Sequence, residues 1–244
     1  LIVSLKISPI AGVIIAVVLF IAIKYTIVQE STAKAILTLG KFKKFVLSWR
    51  NYQFDENWNV IEAKKRKLHF GGLRIVGIRG IHSLHKYKFR WIDIELREGR
   101  EQIDFHEKVI DYILIRPHVY IVKLPQIETA DRIPTTTSWI FEIQIMNPYK
   151  ALFVAPINWL EKVQAEINPF LRLIVAGRTY SSLLAMREGA TDVLERYKKL
   201  REKVKEVEKK WGAKINRILL REVEAAERYQ KAAAREAEAA FEAR

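Results

Sequence analysis

The side chains able to do chemistry in this sequence do not assemble into a familiar site. His82 and His85 are three residues apart, and no carboxylate or cysteine stands at a spacing that would complete a metal site. On a strand, the two imidazoles would point to opposite faces. The spacing therefore favours a surface or packed histidine pair, and no metal ion is expected.

The glycines of the same region do not form a phosphate-binding motif. They lie in a β-rich stretch that lacks the Lys-Ser/Thr of a P-loop and the strand-to-helix context of a dinucleotide fingerprint. Turns and bulges account for them. The glycines concerned are Gly71, Gly72, Gly77 and Gly80.

No nucleophile can be paired with a base. Ser181 and Ser182 have no Gly-x-Ser-x-Gly setting, and Glu107 with Asp111 are ordinary helix-spaced or loop carboxylates. Because the chain contains no cysteine, it has no thiolate ligand, no cysteine nucleophile and no disulfide. The sequence thus predicts a protein that is not an enzyme and that uses no cofactor.

An aliphatic segment near the start of the chain determines its predicted organisation. Residues 9–23 carry no charge and lie between Lys6 and Lys24. In the hydrocarbon of a bilayer, a single segment can satisfy all of its backbone hydrogen bonds only as a helix. The apolar run that begins at residue 7 is long enough to span a bilayer if it is extended to residue 28, with the Lys24 side chain reaching the headgroups. We therefore expect a transmembrane anchor over residues 1–28. Its membrane-spanning residues are Ile10, Val13, Ile14, Val17, Val18, Leu19, Phe20 and Ile21.

Two other interpretations of the segment were weighed. A signal peptide needs a cleavage site close behind its apolar core, but the nearest small-residue pattern, at 33–35, lies well past it. A buried core helix would show a polar face, and residues 11–23 show none. More lysines follow the segment than precede it, which predicts a single-pass protein with a cytoplasmic C-terminal part.

The overall charge is strongly basic. The formal net charge is +14 over 244 residues, with clusters at 41–44, 64–67 and 85–90. In a soluble protein this would suggest nucleic acid. Beside a membrane segment it indicates attraction to anionic lipids, worth about 1 kcal/mol per basic residue near the surface. We expect a bilayer, and no nucleic acid, as the partner.

Strands are predicted after the anchor. The clearest covers 135–146, where apolar and polar residues alternate until Asn147-Pro148 ends the strand. Residues 87–96 also alternate, with a phase slip between Trp91 and Ile92 that suggests a β-bulge. Shorter strands are predicted at 34–39, 109–115 and 118–124.

Helices are predicted in the second half. Apolar residues recur at helical spacing from Trp159, and Asn168-Pro169 is typical of an N-cap that restarts a helix. One long charged helix is predicted over 182–211, ended by Gly212. Residues 214–221 form either a short return strand or further helix. From Glu222 onward the alanine-rich segment is predicted to be helical.

The order of these parts resembles the SPFH, or band 7, family of stomatins, prohibitins and flotillins. Residues 128–153 carry most of the similarity, with a Thr-x-Asp step, a long strand and an Asn-Pro turn. The similarity covers nearly the whole chain, although the Pro-Gly step usual after the first strand is replaced by Gly71-Gly72 behind an insertion at 42–70. The matching residues are Thr129, Asp131, Asn147, Pro148, Asn158, Trp159, Leu171, Arg172, Gly177, Trp211 and Gly212.

The resemblance implies an α+β fold with an N-terminal transmembrane helix. A mixed or antiparallel β-rich SPFH domain with packed helices would occupy residues 29–182. A charged helix and a short return strand would occupy 183–221, and a long, coiled-coil-like oligomerisation helix would occupy 222–244. It also implies a membrane-anchored homo-oligomeric scaffold, a ring or cage, that organises a membrane microdomain and regulates membrane proteins such as proteases. The alternative is a membrane-tethered protein whose basic face binds nucleic acid or an acidic partner.

Two surfaces are predicted to serve assembly and membrane contact. In the last helix, two alanine columns with a seven-residue repeat favour packing against a neighbouring helix, unless alanine is simply the best helix former. The columns are Ala225, Ala232, Ala239 and Ala226, Ala233, Ala240. An aromatic and basic segment suits the membrane interface, unless it packs onto the sheet. It contains Phe42, Phe45 and Trp49 with Lys41, Lys43 and Lys44.

Overall fold

The structure, a computed structural model, describes residues 17–18, 21–48, 51–63, 71–97, 100–155, 158–226 and 229. The chain divides into two units, Leu1–Tyr87 with Val109–Ile115, and Lys88–Lys108 with Arg116–Arg244. The strands are β1 Ile23–Ile27, β2 Thr32–Thr38, β3 Lys41–Leu47, β4 Tyr52–Phe54, β5 Val60–Glu62, β6 Leu73–Ile78, β7 His82–Leu84, β8 Tyr87–Arg97, β9 Arg100–Ile110, β10 Ile113–Leu114, β11 His118–Glu128, β12 Pro134–Ile145 and β13 Ala213–Ala225. The helices are a π-helical turn at Lys150–Val154, α1 Trp159–Ala176, α2 Tyr180–Glu188, α3 Val193–Arg196 and α4 Lys198–Trp211.

The first unit is built from short antiparallel strands around β2. Strands β3, β7 and β10 all pair with β2, while β1 pairs with β6 and β4 with β5. The β2–β3 turn needs positive φ at Leu39 and Gly40, +49° and +80°, and glycine adopts such a conformation without a steric penalty. Ala35 lies opposite Phe45 on one face of the β2–β3 pair and Ile36 points to the other face, and all three are buried, so β2 is covered on both sides.

The second unit is a three-stranded antiparallel sheet covered by helices. Its order is β11-β12-β13, so β12 is central and every second residue of this strand can face the helices. Trp139, Phe141 and Ile143 are buried there, which confirms the predicted half-buried strand. Helix α1 packs against β11 and α4, and α4 packs against β13.

The predicted fold class needs one correction, which concerns the transmembrane helix. Although the chain is α+β as expected, no helix within the described residues is long and apolar enough to cross a membrane. Residues Ile23–Ile27, assigned to the anchor from the sequence, form strand β1 because their backbone groups pair with β6. Hydropathy alone does not distinguish a lipid-exposed helix from an apolar strand with a nearby partner.

The predicted start of the C-terminal helix is also wrong. Residues 222–225 belong to β13, which pairs with β12 as far as Ala225 opposite Thr135. The hydrogen bonds and side-chain packing of a complete ladder with β12 stabilise the strand by more than the few tenths of a kcal/mol per residue by which alanine and glutamate favour a helix. The expected return strand after Gly212 is therefore present and longer than predicted.

Two helix boundaries differ from the sequence-based prediction. Asn168-Pro169 does not restart a helix, because α1 continues through Pro169 with a continuous buried stripe that includes Ile167 and Leu171. The charged segment is three helices rather than one. The Asp192 carboxylate separates them by accepting hydrogen bonds from Leu194 N at 3.0 Å, which starts α3, and from Ile218 N at 3.2 Å in β13.

Candidate membrane-contact surface

The β1–β6 ribbon of the first unit has two chemically different faces. Three pairs lie directly opposite each other, namely Ile27 with Leu73, Tyr25 with Ile75, and Ile23 with Ile78. Because side chains alternate along a strand, these pairs share one face and Thr26 with Arg74 share the other. A register shift after Lys24 keeps Ile23 and Ile78 on the first face.

The face formed by these three pairs is apolar and open to solvent. Ile27, Leu73, Ile75 and Ile78 are 69%, 51%, 60% and 50% exposed, whereas Val76 on the opposite face is 3% exposed. An apolar patch of neighbouring side chains on a protein surface usually marks an interaction site. We call this face, Ile23, Tyr25, Ile27, Leu73, Ile75 and Ile78, the β1–β6 apolar face.

Close backbone approaches hold the ribbon in place. Val28 N donates to Gly72 O at 2.8 Å, and a Cβ on Gly72 would lie 2.3 Å from Val28 O, so only glycine fits there. At Gly77, with φ +137°, the ring of His82 occupies the position of a side chain. The Nδ1 atom of His82 accepts a hydrogen bond from Ile78 N at 3.1 Å.

Basic groups occur in the ribbon and elsewhere in the same unit. Arg74 donates from Nε to Leu47 O at 3.2 Å and from Nη1 to Gly71 O at 3.1 Å, which fixes its guanidinium on the inner face. Lys43 Nζ lies 3.1 Å from Nε2 of His82. The side chains of Lys41, Lys43 and Lys44 are exposed along β3. The first unit thus combines an exposed aliphatic surface with exposed cations.

Two of the aromatic residues predicted at the membrane interface, Phe42 and Phe45, belong to an aromatic cluster of the first unit. A register shift between Ile36 and Leu37 in the β2–β3 pairing brings Phe42 and Phe45 to the same face. Their rings lie 4.9 Å apart and form a cluster with Phe54 and Trp58. Phe45 is buried, so its ring packs within the first unit. Trp49 lies outside the described residues.

The other predicted site residues are only partly described. Val17, Val18 and Ile21 are exposed. Ala225 ends β13, where it is buried, and Ala226 N donates to Pro134 O at 2.8 Å, so neither belongs to a free helix surface. The predicted residues outside the described part of the chain are Ile10, Val13, Ile14, Leu19, Phe20, Ala232, Ala233, Ala239 and Ala240.

The Thr-x-Asp step holds a helix start in the second unit. The Asp131 carboxylate accepts a hydrogen bond from the Thr129 hydroxyl and contacts Tyr180 N at 3.1 Å, at the first residue of α2. The Thr129 hydroxyl, with the backbone N–H groups of Tyr180 and Asp131, lowers the pKa of Asp131, which more than offsets its slight burial. Thr129 itself is buried and accepts from Ile133 N at 3.1 Å.

The Asn-Pro turn and the Trp-Gly step meet in space. Met146 N and Asn147 N both donate to Gly212 O, at 2.8 and 3.0 Å. Gly212 has φ +68°, and a Cβ there would lie 2.5 Å from Asn147 O. Two segments far apart in the sequence therefore form one joint between β12 and β13.

Asn158-Trp159 has a similar structural role. Asn158 caps α1 by accepting from Leu160 N at 3.1 Å, and its amide donates to Arg90 O at 3.2 Å. Trp159 is buried against Phe89 and Tyr120, with ring centroids 5.6 Å away in both cases. These residues, which carry part of the family resemblance, cap α1 and pack it against β8 and β11.

The chemically capable side chains are separated or engaged in local contacts. Asp111 pairs with Lys34 at 3.0 Å, and His85 stacks on Tyr87. Glu107 accepts from Arg90 at 2.6 Å, and this hydrogen bond, with that from Lys88, lowers the pKa of Glu107. Within the described residues, no three His, Cys, Asp or Glu side chains could hold a metal ion.

The residues of the β1–β6 apolar face that lie on β6 were missed by sequence reasoning. Leu73 and Ile75 alternate with Arg74, which is a strand signal, but their partner strand had been assigned to the anchor. No protein-family model matches the chain, and no curated protein matches its sequence. The SPFH resemblance therefore stays a prediction.

Proposed function

We propose that the protein is a self-assembling, non-catalytic scaffold at a membrane surface, and that the β1–β6 apolar face contacts lipid. The observation that carries the proposal is the exposure of four large aliphatic side chains on one ribbon face, 50–69% each. Full burial of such a side chain is worth about 1.5–3 kcal/mol. Even partial burial of four of them supplies several kcal/mol.

Charge supports lipid as the occupant of this face. The chain carries a formal net charge of +14, and Lys41, Lys43 and Lys44 are exposed in the same unit. An anionic bilayer satisfies both features at once, because acyl chains accept the aliphatic side chains and headgroups attract the lysines. A nucleic acid would satisfy only the cations, since its surface offers no hydrocarbon.

Sequence order adds a second support. The uncharged, mostly aliphatic residues 9–22 directly precede β1 in the sequence, so the apolar face follows an apolar stretch of the chain. The resemblance to SPFH proteins, which implies membrane scaffolds that form rings or cages, agrees with this role. Regulation of a membrane protease stays a prediction of that resemblance.

Flotation with vesicles tests the lipid contact. We compare the full chain with Ile27→Glu/Ile75→Glu, which places two charges on the β1–β6 apolar face. The matched control, Val119→Glu/Val154→Glu, adds the same charges at valines that are 53% and 49% exposed in the second unit. We expect the first variant to lose at least tenfold in binding to anionic vesicles and the control to bind as the wild type does.

Duplex DNA at physiological salt is included in the same assay. Equal vesicle binding by both double variants would remove the β1–β6 apolar face from the proposal. Tight, salt-sensitive DNA binding with indifference to lipid charge would instead favour the nucleic-acid alternative.

A further inference from the structure

A cleft lies at the C-terminal end of α1 in the second unit. Its volume is about 650 Å³, within the range of small-molecule sites. One wall is apolar, because Phe170, Leu173 and Ile174 recur at helical spacing along α1. From Phe170 to Gly177 this strip is about 10 Å long, and the next residue is Arg178. The cleft therefore offers an elongated apolar surface with a cation at one end.

The apolar wall is open to a ligand at Leu173. This side chain is 71% exposed, whereas Leu171 in the same helix is fully buried. A single exposed leucine is ordinary on a protein surface. Leu173 differs because it lines a cleft together with two cationic side chains, Arg178 and Lys199.

The Arg178 side chain is held in place before any ligand arrives. Its backbone N donates to Val175 O at 3.1 Å, and its carbonyl accepts from Ala130 N at 2.8 Å, between β11 and β12. Its Nε donates to the Tyr197 hydroxyl at 2.8 Å, and its Nη1 donates to Ser182 Oγ at 2.9 Å. Contacts to several different elements thus fix the position of the guanidinium.

These contacts leave hydrogen-bond donors for a ligand. Because the oxygens of Tyr197 and Ser182 accept from Arg178, each hydroxyl keeps its own proton to donate. Nη2 of Arg178 makes no hydrogen bond to a described residue. In the described part of the chain, no carboxylate lines the cleft and Lys199 has no ion pair. The cleft therefore suits an anion.

We propose that the cleft binds a carboxylate attached to a single hydrocarbon chain, which is the chemistry of a fatty acid. The guanidinium of Arg178 holds the carboxylate, whose two oxygens match its planar N–H groups. The chain lies along Phe170 and Leu173. Among the described residues of the cleft, Arg178 is the one cation fixed by hydrogen bonds, which matches a head with a single negative charge. Because the cleft lies in the second unit, the inference goes beyond the bilayer contact proposed for the first.

Calorimetric titration of the full chain with octanoate tests the proposal. A blank titration into the same neutral detergent corrects for uptake by micelles. Full burial of one methylene strengthens binding about fourfold, so we expect hexanoate, two methylenes shorter, to bind at least threefold more weakly on this one-sided wall. Octanol, which has the chain without the charge, should bind at least tenfold more weakly.

Substitutions locate the site. Leu173→Glu puts a carboxylate into the cleft, and its matched control, Val119→Glu, adds the same charge at a valine that is 53% exposed outside the cleft. Lys199→Gln removes a cation from the cleft, and Lys198→Gln removes its neighbour, which does not line the cleft. We expect octanoate affinity to fall at least tenfold in Leu173→Glu and about threefold in Lys199→Gln, and both controls to bind as the wild type does.

Thermal unfolding of each variant shows whether the second unit stays folded. If Leu173→Glu does not fold, the comparison of Lys199→Gln with Lys198→Gln decides the question. Equal octanoate binding by wild type and both folded cleft variants would overturn the proposal, as would octanol that binds as tightly as octanoate. Octyl phosphate that binds tenfold more tightly than octanoate would overturn the carboxylate head.

Vesicle flotation separates this inference from the proposed function. Leu173→Glu should float with anionic vesicles as the wild type does, because the β1–β6 apolar face is unchanged. If this variant loses flotation as well as octanoate binding, the cleft contacts the bilayer itself, and the single-chain ligand is wrong. Normal octanoate binding by Ile27→Glu/Ile75→Glu is expected whether or not that variant still floats.

Discussion

At the scale of single residues, Gly212 is the joint on which the second unit depends. Its φ of +68° disfavours any side chain, and a Cβ would lie 2.5 Å from the Asn147 carbonyl oxygen. We predict that Gly212→Ala lowers the free energy of unfolding of this unit by about 2 kcal/mol or more, since left-handed strain and a backbone clash add. Urea unfolding measures the change.

Gly177→Ala is the matched control for that substitution. Gly177 also ends a helix, but its φ is −85°, and a Cβ there would lie 3.3 Å from Leu173 O and 4.0 Å from Ile174 O, with no closer contact. We expect a change of less than about 1 kcal/mol. Equal losses at the two glycines would show that Asn147 has room to move, and the joint would not be rigid.

The ionisation of Asp131, in the Thr-x-Asp step, makes the stability of the second unit depend on pH. Its pKa is lowered in the folded protein, chiefly by the Thr129 hydroxyl, so the carboxylate contributes stability above its unfolded pKa, near 3.8. That contribution is lost as the pH falls through the lower, folded pKa. We predict that Asp131→Asn lowers the free energy of unfolding at pH 7 by about 0.3–1 kcal/mol, because a negative charge at the start of α2 interacts favourably with the helix dipole and the neutral amide does not.

The pH profile of stability separates the charge of Asp131 from its shape. Below about pH 4, where the wild-type carboxylate begins to protonate, the stability difference between Asp131→Asn and wild type should shrink. The measurement is urea unfolding from pH 2.5 to 7. A difference that stays constant over this range would mean that the carboxylate charge does not stabilise α2.

At the scale of elements, the strand β13 extends through Ala225, where the sequence had predicted a helix. Val223 is 5% exposed and pairs with Thr137, while the neighbouring Glu224 is exposed. We predict that Val223→Ala costs about 2 kcal/mol of unfolding free energy, from two lost methyl groups and the cavity they leave. Glu224→Ala should be nearly neutral. Similar small effects of both would contradict a strand at this position.

How well elements could be predicted depends on whether their signal is local. The strand 135–146 was predictable because its alternation and its Asn-Pro stop both lie within a short stretch. Residues 222–225 were not, because glutamate and alanine favour a helix and the segment becomes a strand only through pairing with β12. Residues 23–27 were missed for another reason: they follow an uncharged aliphatic run and were assigned with it to a membrane helix, although Ile, Tyr and Thr favour the strand that pairs with β6.

The same reason limits prediction of the membrane-contact surface. Lys41, Lys43 and Lys44 were predicted and are exposed, but Phe42 and Phe45 pack inward because a register shift changes their face. Ile27 and Ile75 were not predicted as one surface, since they lie 48 positions apart in the sequence and only strand pairing brings them together. A sequence gives the chemistry of each strand but not its partner.

At the scale of the whole molecule, the two units carry different surfaces. The first unit carries the β1–β6 apolar face and exposed lysines, and the second carries the sheet β11-β12-β13 with its covering helices. Because the proposed lipid contact lies in the first unit alone, the glutamate variants of the β1–β6 apolar face should lose vesicle binding and assemble as the wild type does, with particle mass in mild detergent as the measurement.

The central claim is that the β1–β6 apolar face contacts lipid, and the absence of cysteine allows a direct test. A polarity-sensitive fluorophore is attached to Ile75→Cys and, as a control in the second unit, to Val119→Cys, both exposed positions. With anionic vesicles, we predict a blue shift at position 75 and quenching there by lipids that carry a quencher on the acyl chain. The probe at position 119 should stay in water. A probe at position 75 that remains water-exposed while the protein is bound to vesicles would contradict the account.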